Sequence, residues 1–167
     1  FRHLKGLDDH ISVSVVHPLM LDDGWTFARD FDGSTGDTLL GKEFLYQVYT
    51  QCDPSASGRV TVPILWDKET GRIVSNESSE IIRMLNSAFD GLTGNDLDFW
   101  PEQMRDALEE INDEIYQNVN NGVYRSGFAT TKTAYEEAVN NLFDTLQKLE
   151  TRLTENRYIM GSTLTEA

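Results

Sequence analysis

This 167-residue chain is short of cysteine and of positive charge, and it has no long apolar run. With Cys52 as the only cysteine no intrachain disulfide can form, which points to a reducing, intracellular compartment. No stretch approaches the roughly 20 apolar residues of a membrane-spanning helix, and no signal peptide is visible. Fourteen Lys and Arg against 28 Asp and Glu leave a formal charge of −14. That excludes general nucleic-acid binding, which needs cations to displace phosphate counterions, and it disfavours an anionic membrane surface. A small anionic ligand stays open, because local geometry outweighs a distant field screened over roughly 10 Å at 0.1 M salt. Internal repeats, low-complexity segments, a glycine-rich phosphate loop, a Ser-His-Asp order and paired cysteines are all lacking. What remains is a soluble globular composition, 39% hydrophobic and 25% charged.

The first residues, Phe1 to Leu7, read as the last turn of a helix closed by Gly6. Ile11 to Val16 alternates and is β-branched, which predicts a strand. His17 to Lys42 reads as a long irregular loop, and loops of that length are usually functional. Glu43 to Gln51 places Phe44, Val48, Leu45 and Tyr49 as a short helix would. A strand opened by Val62-Pro63, a turn at Lys68 to Gly71, a second strand and a helix follow. Beyond Asp90 the composition shifts. Residues 91–100 read as a linker, and Pro101 suits the first turn of a helix carrying Met104, Ala107, Leu108, Ile111, Ile115 and Val119. Asn120 to Phe128 reads as a turn-rich connection. A second helix, about Thr133 to Leu153, carries Ala134, Ala138, Leu142, Leu146, Leu149 and Leu153 on one stripe. The division is therefore 1–90, an α/β unit of thioredoxin-like layout, and 101–167, the start of an all-helical unit. The last residues, Ser162 to Ala167, read as a helix start, so both ends look cut from something longer.

The segment from Arg59 to Leu85 is the most informative. Proline removes a backbone donor and fixes chain direction, and a cis Val62-Pro63 bond turns the Val62 carbonyl and N–H outward, free to pair with a peptide-like ligand. The polar cluster Ser75-Asn76-Glu77-Ser78 opens the following helix, whose unpaired N–H groups favour a carboxylate. Glu77 and Ser78 could instead merely cap that helix. The proline strand, tight hairpin and polar helix start together predict a clamp for an anionic peptide.

Other motifs carry less. Asp30-Phe31-Asp32-Gly33-Ser34 has the form of a phosphatase nucleophile loop, but it lacks the preceding buried strand that such chemistry needs. As a calcium loop it fails at Thr35 and Gly41. His3, His10 and His17 share no helical face, so no metal site is expected. Glu109, Glu110, Asp113 and Glu114 read as a solvated helix face. Cys52 falls at a helix C-terminus beside Asp53, where dipole and neighbour both disfavour thiolate, so it is not expected to react.

Val13 to Leu21 with Gly24 to Phe27, Gly58 to Asp67, Ile73 to Met84 and Asn120 to Thr130 together resemble the glutathionyl-hydroquinone reductases, the Xi, omega-like class of glutathione transferases. The resemblance runs through the final Leu164 to Ala167. It implies a thioredoxin-like domain followed by an all-α glutathione-transferase domain, both incomplete here, in a cytoplasmic homodimer. It implies that Val62 before Pro63 pairs with the cysteinyl backbone of glutathione, that Glu77 and Ser78 hold its γ-glutamyl end, that Trp25 covers it, and that Arg59 reaches a carboxylate. Tyr124 would help to bind the hydroquinone ring. The catalytic cysteine of the family, in a Cys-Pro-Trp-Ala motif, would lie upstream of Phe1. These residues alone are thus expected to bind better than they react. The implied activity is glutathione-dependent reduction of glutathionyl-hydroquinones, with glutathione as co-substrate and no metal. A non-catalytic glutathione-transferase-like binding module is the alternative.

Overall fold

The computed structural model describes residues 1–167, which form two compact units, Phe1–Asn95 and Asp96–Ala167. In chain order the elements of the first are α1 (Leu45–Cys52), β1 (Leu65–Asp67), β2 (Arg72–Ser75), α2 (Ser78–Ser87) and the single turn α3 (Asp90–Thr93). The first residues make a closed helical turn. Leu7 N–H reaches Arg2 O and Gly6 N–H reaches His3 O, with Gly6 at φ 68°, the hydrogen-bond pair that ends a helix on a left-handed glycine.

β1 and β2 pair antiparallel as a hairpin, from Leu65 opposite Ser75 to Asp67 opposite Arg72. Its turn is tied by Asp67, whose carboxylate accepts the Thr70 hydroxyl at 2.7 Å and the Glu69 N–H at 2.9 Å. These bonds, the Thr70 hydroxyl first, hold the Asp67 pKa below its ordinary value. Alternation along β1 sends neighbours to opposite faces. Leu65 packs on Leu7, Ile81 and Leu85, while Ile64 and Trp66 pack on Phe27, Leu45 and Val48. The spacing i, i+4 delivers Ile81 and Leu85 from α2 to one core, and i, i+3 delivers Leu45 and Val48 from α1 to the other. Each such side chain contributes roughly 1.5–3 kcal/mol on burial.

The alternation of Ile11 to Val16 does not produce a strand. A strand needs a backbone ladder, and past Ile11 the backbone of this segment bonds only Thr35, through Thr35 N–H to Val15 O and Val15 N–H to Thr35 Oγ1, while the Ser14 hydroxyl takes the Thr38 N–H. The stretch 17–42 is irregular. It is organised by Asp37, whose carboxylate accepts the N–H groups of Leu39, Leu40 and Lys42. Burial pushes the Asp37 carboxyl up, but these three donors and the Lys42 charge outweigh it and bring its pKa below the ordinary value.

In the second unit a 3₁₀ turn (Glu102–Met104) leads into α4 (Arg105–Ile115), a π-helical turn (Tyr116–Asn120) and α5 (Asn121–Gly127), followed by α6 (Lys132–Glu155). Thr131 caps α6 by accepting the Ala134 N–H at 3.2 Å. The expected connection at Asn120 to Phe128 is helical instead. Its glycine serves packing: Gly122 is buried, and an added Cβ would sit 3.7 Å from Leu142 Cβ of α6. The expected stripe of α6 is buried only in part. Ala138, Leu142 and Thr145 are covered, whereas Leu146 and Leu153 are exposed. The chain end is tied back to the start of the unit, with Glu166 N–H on Phe99 O and Asn112 Nδ2 on Glu166 Oε1. No helix is long and apolar enough to cross a membrane.

Candidate functional site

The Val62-Pro63 peptide bond is cis, and Val62 is 42% exposed. Neither its N–H nor its carbonyl takes a hydrogen bond within the protein, although the carbonyl of the preceding Thr61 is occupied by Tyr49 Oη at 2.9 Å. Fifteen residues on, Glu77 occupies the N-cap of α2, but its carboxylate makes no cap hydrogen bond. Capping falls to the buried Ser75, which accepts Glu77 N–H at 3.1 Å and donates to Glu80 Oε2 at 2.6 Å. The Glu77 carboxylate and the Ser78 hydroxyl therefore stay exposed and uncommitted, beside the first open N–H groups of α2.

Trp25 is half-buried against the cluster of Phe27, Leu45 and Val48, which also receives Val60 and Ile64 from either side of Val62-Pro63. Its segment is fastened along the entry to α1. Trp25 O accepts Leu45 N–H at 2.9 Å, Phe27 N–H reaches Glu43 O at 2.8 Å, and His17 N–H reaches Thr26 O at 2.8 Å. Arg59 is exposed just before this strand. Trp25 and the residues flanking Val62-Pro63 thus pack on one cluster, with Glu77 and Ser78 at the start of α2. Tyr124 belongs to the second unit, on α5, where it is 65% exposed and lies parallel to Phe128 at a centroid distance of 6.4 Å.

The hydrogen bonds of three further side chains could not be read from the sequence. Asn76 Nδ2 lies 3.3 Å from Tyr49 Oη and 3.4 Å from Thr61 Oγ1. Because the single Tyr49 hydroxyl proton goes to Thr61 O, Asn76 must act as the donor to Tyr49. Cys52 lies at the end of α1, where its Sγ accepts Ile73 N–H from β2 at 3.4 Å. His17 Nδ1 accepts the Leu19 N–H, leaving Nε2 to face Asp30 at 3.5 Å.

Residues 1–88 match the glutathione S-transferase N-terminal domain, and the chain belongs to the glutathione S-transferase family. Its α/β unit is thioredoxin-like and is followed by glutathione-transferase helices. Among individual relatives, glutathionyl-hydroquinone reductase YqjG of Escherichia coli is 57% identical over 99% of this chain and 51% of that protein. PcpF of Sphingobium chlorophenolicum, also a glutathionyl-hydroquinone reductase, is 54% identical over 99% and 53%. The glutathione-bound structure of YqjG superposes with a TM-score of 0.95 at 56% identity, covering 99% of this chain and 54% of that one. The Xi glutathione S-transferase of Phanerochaete chrysosporium gives 0.94 at 49% identity, covering 99% and 57%. The chain spans about half the length of the curated relatives it matches.

Proposed function

We propose that the protein carrying this chain is a glutathione-dependent oxidoreductase that reduces glutathionyl-hydroquinones to hydroquinones, and that residues 1–90 supply its glutathione clamp. The observation that carries this reading is the set of uncommitted groups around the cis proline: the Val62 backbone, the Glu77 carboxylate and the Ser78 hydroxyl. They match the γ-glutamyl end and the central residue of a γ-glutamyl tripeptide. Val62 pairs in antiparallel fashion with the cysteinyl residue. Glu77 takes the α-ammonium group, and Ser78 with the open α2 N–H groups takes the neighbouring carboxylate. Trp25 covers the tripeptide and Arg59 reaches a carboxylate. Tyr124, from the helical unit that begins at 101, contributes to the hydroquinone site. The identity to two named glutathionyl-hydroquinone reductases favours this substrate class.

In this reaction a cysteine thiolate attacks the glutathione sulfur of the substrate. The hydroquinone leaves and takes up a proton, and the mixed disulfide is resolved by a second glutathione as glutathione disulfide. The chain's own part is to hold the tripeptide so that its sulfur has one fixed position. We place the protein in the cytoplasm as a homodimer. Retention of the complete protein on immobilised glutathione tests the clamp. Glu77→Ala removes a charge-assisted bond of about 1.5–3 kcal/mol, so binding should weaken by one to two orders of magnitude, and retention equal to wild type refutes the assignment.

A further inference from the structure

We propose that Tyr49, Thr61 and Asn76 are positioning residues that set the distance between the two halves of this clamp. The inference rests on the glutathione reading and adds to it three residues that need not touch the ligand. Val62 precedes β1 and Glu77 follows β2, so the hairpin ladder would be the natural spacer between them. The ladder ends too early for that. Its last pair is Leu65 with Ser75, and its register is already irregular between Leu65 and Trp66. Beyond Leu65 and Ser75 no backbone hydrogen bond joins the two chains.

Side chains close the gap. Asn76, beside Glu77, donates one amide hydrogen to Thr61 Oγ1, beside Val62, and the other to Tyr49 Oη. Tyr49 Oη passes its own proton to Thr61 O at 2.9 Å. The result is a closed three-membered ring of hydrogen bonds joining α1, the cis-proline segment and the start of α2. Tyr49 is itself anchored, its ring packing on Phe27, Leu45 and Val48. Each member bonds to both of the others, so loss of the Tyr49 hydroxyl or of the Asn76 amide removes two of the three bonds and leaves the clamp spaced by one. A ligand that touches Val62 with one end and Glu77 with the other then pays to restore the spacing.

The test is calorimetric titration of the complete protein with reduced glutathione, well below the melting transition of every variant. Tyr49→Phe keeps the ring packing and removes only Oη. It and Asn76→Ala should each weaken binding about three- to tenfold. The double variant should lose less than the product of the two single losses, because both singles break the Asn76–Tyr49 bond. Thr61→Val should show the same loss, and Thr61→Ser, which restores the hydroxyl, should bind as wild type. Wild-type affinity in Tyr49→Phe and Asn76→Ala, or losses that multiply in the double variant, overturns the proposal if Glu77→Ala is weakened. Undiminished affinity in Glu77→Ala overturns the glutathione reading itself.

Discussion

Lys5 is only 1% exposed, yet it carries a charge into the first unit. Its Nζ lies 2.9 Å from Asp90 Oδ1 and 3.0 Å from the Asn95 carbonyl, joining the first turn of the chain to the end of the unit. The two ends of the ion pair are unequal, since the Asp90 side chain is 40% exposed. That asymmetry fixes which substitution hurts more. In Lys5→Met the aliphatic stem is preserved, and Asp90, whose Oδ1 is buried but whose side chain is 40% exposed, can turn its carboxylate to water. The loss is then close to one charge-assisted hydrogen bond, about 2 kcal/mol. In Asp90→Asn the ammonium stays buried without that carboxylate. One-sided removal from a buried pair costs about 3–5 kcal/mol, and a retained Asn95 carbonyl places this case near the lower end, about 3 kcal/mol. The double variant should recover to about the level of Lys5→Met, because no buried charge is left. Urea unfolding followed by far-UV circular dichroism reads these differences. With a slope of about 1–3 kcal/mol per molar, Lys5→Met should lower the midpoint by roughly 0.7–2 M. A benign Asp90→Asn beside a damaging Lys5→Met would refute the reasoning, leaving Lys5 to act through packing and the Asn95 carbonyl alone.

Cys52→Ser keeps an acceptor for the Ile73 N–H, so the complete protein should retain its activity and melt within a few degrees of wild type; a large loss of activity would make this thiol a participant. The folded-state pKa of Asp37 is lowered, so its contribution is fully present above the unfolded carboxylate value of 3.8 and is lost as pH falls through the lower folded value. Asp37→Asn should therefore cost about 1–2 kcal/mol at neutral pH and flatten the acid limb of a stability–pH profile; an unchanged limb contradicts the assignment. Gly122→Ala should raise stability by up to about 1 kcal/mol, because a methyl at 3.7 Å from Leu142 Cβ is in ordinary contact and helix propensity improves, whereas Gly122→Leu should destabilise in thermal melts.

Local patterns carried the elements whose stabilising contacts lie nearby in sequence. The turn at Lys68 to Gly71 is written into Asp67 and Thr70, and α1 and α2 into their i, i+3 and i, i+4 apolar pairs. The location of the candidate site was legible for the same reason, as a proline and a helix start separated by a short hairpin. Alternation at Ile11 to Val16 misled because side-chain period describes only one strand, while a sheet needs two. Asn-Asn-Gly at 120–122 misled because its turn propensity is weak beside the packing of α5 on α6. The ring of Tyr49, Thr61 and Asn76 was invisible for a third reason. Its bonds span 12, 15 and 27 residues, and nothing local marks a tyrosine on one helix as the partner of an asparagine before another.

The hairpin belongs to two interiors at once, Leu65 to one and Ile64 with Trp66 to the other. Two strands of three and four residues have little stability of their own, so their persistence is borrowed from both sides. Loosening either interior loosens the chain at Val62, and a ligand held at Val62 tightens both. Binding and folding are thereby linked: at one hundred times its dissociation constant such a ligand adds about 2.7 kcal/mol to the folded state. The segment proposed to receive the ligand is also the seam along which the unit would come apart.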